Sequence, residues 1–489
     1  MGEEAGRLPG VDLTSKADEL RRAGHELIDR MADYLATLES RAVSTASTPA
    51  ELGARFVAPL PRHGRPAGEV WNDVWEKVVG DAIHLAHPMY MGHQVAPPLP
   101  HAVLADALTS LLNNSAAVWE MSPTGTFVEG EVIRWMTELL GYPDTSDGTL
   151  VSGGSVANLT GLLAAREAAF PASWRMGVAR TGSAGGAVVF VAADSHYSME
   201  RAVGLMGLGA DSVVGVPLRN GSMDLDALNQ ALAIARKDGR QPLAIVGTAG
   251  STATGRFDDL DAIAELAERE KIWFHVDGAH GASHLASPRL RPLLRGISRA
   301  DSVAWDPHKL MFMPLSAGAA FVRERGHLDA AFQQSAPYLF HPRPGEERSR
   351  DIGKRTLQCS KRLDALKLWV SLRHYGLDYF ARLQECTVDN ARALHALLVE
   401  AEDFEPMHEP QSNILCFRHI PVSLRDADPA RQDEFQRRVR ERWNASGRGW
   451  ITATVLDQRQ VLRVTLMNPG TRQEHLEALV AGLRGEGES

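Results

Sequence analysis

The chain lacks the features that would make it a disulfide scaffold, a zinc module, a nucleic-acid binder or a membrane span. Its 489 residues include three cysteines, Cys359, Cys386 and Cys416. An odd number with no CxxC spacing supports neither a disulfide framework nor a zinc knuckle, and it suits a reducing compartment. There is no dense Lys/Arg block: 52 basic residues stand against 61 acidic ones, for a net charge of −9. Such a balance argues against nucleic acid as the main partner. No apolar run is long enough to cross a bilayer. Met1–Gly10 is too polar and acidic for a secretory signal, so a soluble cytoplasmic protein is the expectation. There is no GxGxxG fingerprint, no Walker sequence, no internal repeat and no low-complexity tract.

What the chain does have is core. Apolar residues make up 44% of it, enough for two or three domains. Residues 16–39 place Leu20, Leu27, Met31, Tyr34, Leu35 and Leu38 at helical spacing opposite a charged face. That helix packs either on its own domain or on a second subunit. Residues 45–70, with Pro49, Pro59, Pro61 and Pro66, read as loop. From about 85 to 375, short apolar runs alternate with helical stretches. The strands are Gly186–Ala193, Ser212–Val216, Leu243–Thr248, Ile272–Val276 and Ser302–Trp305. The helices include Ser198–Leu208, Leu225–Arg236 and Leu260–Glu270. The alternation predicts a mostly parallel, covered sheet, whose ligands bind at the carboxyl ends of its strands. Residues 328–358 are largely polar, and His341–Glu347 reads as either a mobile lid or an ordinary surface loop. Beyond 376 a smaller α+β domain is expected, with strands Asn413–Phe417 and Val461–Leu466 and a helix Glu434–Trp443. The expected division is a helical segment 1–84, a large domain 85–375 and a small domain 376–489.

The chemistry concentrates in Trp305-Asp306-Pro307-His308-Lys309, downstream of His275-Val276-Asp277-Gly278-Ala279-His280. A His-Lys pair at one strand exit and an Asp at an earlier one can hold pyridoxal 5′-phosphate. The Lys309 amine condenses with the aldehyde, and Asp277 keeps the pyridinium nitrogen protonated so that the ring accepts electrons. Apolar Leu310, Met311, Phe312 and Met313 follow Lys309, so its amine is expected to be partly desolvated and nucleophilic. Taken alone, Asp277 is equally a cap or turn residue; its pairing with Lys309 strengthens the cofactor role. Ser152-Gly153-Gly154-Ser155 precedes the helical run Val156–Glu167. It is either a phosphate cradle of backbone N–H groups at a helix N-terminus or a plain loop and cap.

Four further positions stay open at this level. His196 lies just past a strand end and either stacks on a cofactor ring or serves as a cap or core residue. Tyr338 opens the polar segment, as a proton donor on a closing loop or as a loop anchor. Arg463, flanked by Val461, Leu462 and Val464, needs an anion, either a substrate carboxylate or a structural ion pair. His93 either hydrogen-bonds a polar substrate side chain or merely packs. The histidine groups 275/280/284 and 84/87/93 lack zinc-site spacing, and no metal is expected.

Together these residues resemble the group II pyridoxal-phosphate-dependent amino-acid decarboxylases. That family contains the glutamate, aromatic-amino-acid and 2,4-diaminobutyrate decarboxylases. The likeness runs from about residue 80 to 475. Asp277 and Ala279 stand in its strand-Asp motif, Lys309 in its Schiff-base lysine motif, and His196 in its ring-stacking position. Gly153, Gly154 and Ser155 match its phosphate loop. Tyr338 stands at the distance beyond Lys309 where the family's mobile loop carries a proton-donating tyrosine. Arg463 stands where some members have an arginine for the substrate α-carboxylate. Asn113–Pro123 and Leu357–Trp369 are similar to blocks of the glutamate and diaminobutyrate branches. The departures are Asp306, where many relatives have asparagine and where a carboxylate suits a phosphate dianion poorly, and Ser115 and Ala117, which do not argue for glutamate.

The resemblance implies an α/β chain of pyridoxal-phosphate fold type I, aspartate aminotransferase-like. It implies a homodimer whose shared active sites are completed by partner loops, and an N-terminal helix that embraces the other subunit. It implies decarboxylation of an L-amino acid to an amine and CO2, with His308 assisting proton transfer. The rival outcomes are oxidative deamination to an aldehyde, a carbon–carbon lyase on the same scaffold, and an inactive binding subunit.

Overall fold

The computed structural model describes residues 12–181, 186–341, 345 and 348–488. Much of the proposed lid sequence, residues 342–344, 346 and 347, lies outside the described residues, as does Met1–Gly10. Among the described residues no helix is long and apolar enough to cross a membrane.

The N-terminal helix spans Leu13–Ala36, with the Asp12 side chain accepting the Ser15 N–H as its cap. None of its residues is buried. The loop expected over 45–70 is corrected, because Pro49–Phe56 and Ala67–Asp73 are helices. Thr48 and Glu51 cap the first reciprocally, and Pro49 occupies its opening position, where no backbone N–H is needed. Pro49 and Pro66 mark helix starts, while Pro59 and Pro61 lie in the connection between the two helices.

Strand β1 (Tyr90–Met91) comes next, followed by β2 (Asp147–Val151), β3 (Ala187–Ala192) and β4 (Val213–Val216). A two-residue hairpin, β5 (Leu218–Arg219) and β6 (Ser222–Met223), leads to β7 (Gln241–Thr248), β8 (Trp273–Asp277), β9 (Ser302–Trp305) and β10 (Gly318–Val322). Seven of these form one sheet in the order β2-β10-β9-β8-β7-β3-β4, parallel except for β10. Helices cover both faces. Along β3, Val188, Phe190 and Ala192 enter one core and Ala187, Val189 and Val191 the other. This is why the strand reads as an unbroken apolar run.

The second sheet contains β11 (Phe404–Pro406), β12 (Ile414–His419), β13 (Trp450–Leu456) and β14 (Arg459–Thr465). Its order is β1-β13-β14-β12-β11, so Tyr90–Met91 pairs in parallel with Trp450–Ile451 and reaches the small sheet from the far end of the chain. The strand at 414–419 and the helix Pro429–Ala445 each run past the limits read from sequence.

Candidate active site

The strand exits converge. β8 ends at Asp277, β9 ends one residue before Asp306, β2 ends just before Ser152, and His196 follows the end of β3. All four sit on the carboxyl edge of the parallel strands. They line one cavity of about 350 Å³, which holds Ser152, Gly153, Gly154, Ser155, His196, Asp277, Ala279, Asp306, His308 and Lys309. A larger cleft of about 830 Å³ opens beside Glu129 and Arg348. It joins no nucleophile to an acid–base pair, and Arg348 there is ion-paired with Asp147 and Asp329.

The cradle is built by close approach. Helix Gly154–Ala169 starts with no side-chain cap, which leaves its first N–H groups facing the cavity. A Cβ on Gly154 would lie 2.9 Å from both the Ala279 Cβ and Asp306 Oδ2, and one on Gly153 would lie 3.3 Å from His308 Cε1. Only bare backbone fits between the helix start and the His-Lys segment.

Lys309 Nζ is 3.3 Å from Asp306 Oδ2. The Asp306 carboxylate is buried, and its Oδ1 has no hydrogen-bond partner. The Asp277 Oδ1 accepts the Ala279 N–H at 3.2 Å, which fixes the carboxylate at the strand end. His308 Nδ1 lies 2.7 Å from the Ala317 carbonyl. The Ala317 N–H faces the same Nδ1 at 3.2 Å, and Nε2 lies 3.6 Å from Asp306 Oδ2. Burial lowers the His308 pKa, against the raising effect of Asp306. Burial also lowers that of His196, against the pull of Asp277. Both rings are therefore biased toward the neutral form.

Three expected residues are not on this wall. Tyr338 is 84% exposed and lies outside the cavity lining. Its segment follows helix Gly326–Ala331, beyond the outgoing end of β10, which runs away from the site. His93 is exposed and also off the wall. Arg463, on β14, is not among the lining residues and donates to the Ala253 carbonyl at 3.0 Å and to Thr452 Oγ1 at 3.1 Å. Arg463 is 6% exposed, with Nη2 unpartnered. No carboxylate pairs with it among the described residues, so the structural ion pair is not what this position forms.

Several lining residues escaped the sequence reading: Asn158, Thr248, Gly250, Ser251, Thr252, His280 and Leu315. The Ser/Thr/Gly cluster directly after β7 is a legible signal, since a small polar turn at a strand exit faces the ligand edge. From sequence His280 reads only as a metal candidate. It hydrogen-bonds Asn413 Oδ1 at 2.8 Å through Nε2. Among the described residues no group of His, Cys, Asp and Glu is arranged to hold a metal.

The pyridoxal-dependent decarboxylase conserved domain matches residues 49–420. An aromatic-L-amino-acid decarboxylase of Bacillus atrophaeus is 28% identical over 95% of each chain. Cysteine sulfinic acid decarboxylase of Mus musculus is 32% identical over 85% of this chain and 83% of its own. The crystal structure of mouse CSAD superposes with a TM-score of 0.87 at 28% identity, covering 94% of this chain and 98% of that one.

Proposed function

The chain belongs to the pyridoxal-dependent decarboxylases and converts an amino acid to an amine and CO2 with pyridoxal 5′-phosphate; we propose that the cavity around Lys309 is where it does so. The observation that carries this reading is the convergence of Lys309, Asp277, His196 and an uncapped helix N-terminus on one wall. The residues present fit the cofactor. Gly153, Gly154 and Ser155 offer backbone N–H groups to a phosphate in a space that a single Cβ would close. Asp277 offers a carboxylate to the ring nitrogen, and Ala279 is small enough to pack beneath the ring. The bound cofactor supplies an aldehyde for the Lys309 amine and a cationic ring that takes up the electron pair left when CO2 departs.

The remaining work falls to side chains. Asp277 keeps a proton on the ring nitrogen. His196 covers one ring face and excludes water from it. His308, whose Nε2 lies 3.6 Å from Asp306 Oδ2, accepts and returns a proton near Lys309. Arg463 brings a buried, unpartnered N–H to the substrate α-carboxylate or a group near it. His93, whose imidazole already feels the Arg463 charge, meets the substrate side chain. Tyr338 delivers the proton that completes the amine. Its exposure outside its own cavity suits service in a neighbouring subunit's site.

The assembly proposed is a homodimer with shared active sites. Leu20 and Leu35 of the N-terminal helix are more than half exposed, and Leu108, Leu111 and Leu112 of helix Pro100–Leu112 are exposed as well. A second copy would cover such apolar faces. Three units, 1–84, 85–375 and 376–489, describe the subunit, with Tyr90–Met91 crossing to the small sheet. Three free cysteines support a cytoplasmic setting.

Mass-spectrometric analysis of products from the cofactor-loaded protein against a panel of amino acids, in air, tests the reaction and names the substrate. An amine with CO2 is expected; an aldehyde with ammonia and peroxide would overturn the role given to Tyr338. Lys309→Ala should abolish the visible absorbance of the bound cofactor, and an unchanged band would sink the site.

A further inference from the structure

A line of buried polar groups runs beneath the cavity floor and ends on His196. Trp273 Nε1 donates to Ser302 Oγ at 2.8 Å, and Ser302 Oγ lies 2.8 Å from His275 Nδ1. His275 Nε2 is 2.9 Å from Asn158 Oδ1, and Asn158 Nδ2 donates to Ser198 Oγ at 3.0 Å. Ser198 Oγ in turn lies 2.8 Å from His196 Nδ1. Strands β8 and β9, helix Gly154–Ala169 and the loop after β3 each contribute a member.

The direction of the line is fixed by its ends. Trp273 can only donate, so Ser302 Oγ accepts there and its own proton is free for His275. At the other end the Ser198 backbone N–H donates to His196 Nδ1 at 3.3 Å, so Nδ1 must present a lone pair. The Ser198 hydroxyl can then only donate to Nδ1. It must accept from Asn158 Nδ2, which turns Asn158 Oδ1 toward a His275 Nε2–H. Turning the amide over would set two lone pairs against each other at His196. One arrangement satisfies every contact, with His275 and His196 both neutral. Burial agrees with this, holding His275 at about 4. The line is also given room: a Cβ on Gly161 would lie 2.7 Å from the His275 ring and 2.9 Å from Ser302 Oγ.

We propose that this relay locks His196 in the Nε2–H form, with Asn158, His275, Ser198 and Ser302 acting as positioning residues for the proton that His196 presents to the cavity. Among the described residues Nε2 has no hydrogen-bond partner, so that N–H is left for whatever the cavity holds. The inference rests on the reading of this cavity as the active site, because only there does the tautomer of His196 bear on the reaction. Without the relay only the 3.3 Å backbone N–H of Ser198 would favour a bare Nδ1, and the site would present a donor part of the time and an acceptor the rest.

The test is long-range proton–nitrogen NMR of the full-length, cofactor-loaded protein labelled with 15N-histidine, with His196 assigned from the spectrum of His196→Gln. The wild-type protein should show His196 neutral, with Nδ1 bare and Nε2 protonated. Asn158→Asp is nearly isosteric but cannot donate. It should pull the Ser198 hydroxyl toward itself and shift the His196 nitrogens toward an Nδ1–H or doubly protonated pattern. Ser198→Ala breaks the line without adding charge and leaves Nδ1 only the 3.3 Å backbone N–H, so an Nδ1–H population should appear in exchange with the Nε2–H form; it carries the test if Asn158→Asp fails to fold. A wild-type Nδ1–H signal would overturn the proposal. So would His196 signals unchanged in the folded variants. These outcomes are separate from the Lys309→Ala absorbance result, which alone decides whether the cavity holds the cofactor.

Discussion

Acid should destabilise this protein through imidazoles that the fold keeps neutral. His275 and His284 are fully buried, and burial holds each near a pKa of about 4. In an unfolded chain a histidine titrates at about 6.5. Between those values the unfolded chain binds protons that the native state refuses, so native stability falls as pH drops. The contribution is whole above about pH 6.5 and is lost progressively toward pH 4. Each pH unit inside that window is worth about 1.4 kcal/mol per group. Going from pH 7 to pH 5 therefore costs about 2 kcal/mol per histidine, or about 4 kcal/mol for the pair. His280 shifts in the same direction, again through burial. Against a typical net stability of about 5–15 kcal/mol, that loss is large. Urea unfolding of the cofactor-loaded protein at pH 7, 6 and 5, followed by tryptophan fluorescence, measures it. His284→Gln should remove about 2 kcal/mol of that loss while leaving the relay behind His196 intact. A wild-type loss below about 1 kcal/mol, or a His284→Gln slope as steep as wild type, would refute the reasoning.

Three other outcomes are expected. Lys361→Met strands the buried Glu129 carboxylate, which then keeps only the Leu150 N–H and the Thr149 hydroxyl; unfolding free energy should fall by about 3–5 kcal/mol, and the Lys361→Met/Glu129→Gln double variant should recover much of it in denaturation curves. Arg463→Met removes a buried charge that has no carboxylate partner, so the fold should hold while the KM for the amino acid rises roughly 10- to 100-fold, and an unchanged KM in steady-state assays would count against the carboxylate role. Asp306→Asn removes a negative charge from beside Gly154, and loss of pyridoxal 5′-phosphate on dialysis, followed by absorbance, should slow by about tenfold or more; faster loss would contradict the placement of the phosphate there.

The parts of the site that were legible in sequence share a property: each is announced by its own neighbours. Ser302–Trp305 is a run of strand followed at once by Asp306 and the His-Lys pair, and its limits agree with the observed strand. Leu260–Glu270 is bounded as its amphipathic pattern and the Asp259 cap indicate. Asp277 was expected just past its strand and forms its last residue. The Thr48–Glu51 capping box was equally local, but the prolines around it masked it.

Contacts between distant segments left no such trace. Nothing near Tyr90 indicates that it pairs with Trp450, and nothing near Asn158 indicates His275 or Ser198. The solitary Arg463 left open whether a carboxylate faced it, and Tyr338 gave no sign that its own cavity would lie elsewhere. The sequence by itself determined the class of sheet, the strand exits and the residue types gathered at them, because strand periodicity and exit residues are short-range. Only the tertiary structure decided which buried polar groups meet, which nitrogen of His196 carries the proton, and which charges stay unpaired. Those depend on the packing of strands and helices far apart in the chain, where a shift of a fraction of a hydrogen-bond length changes the partner.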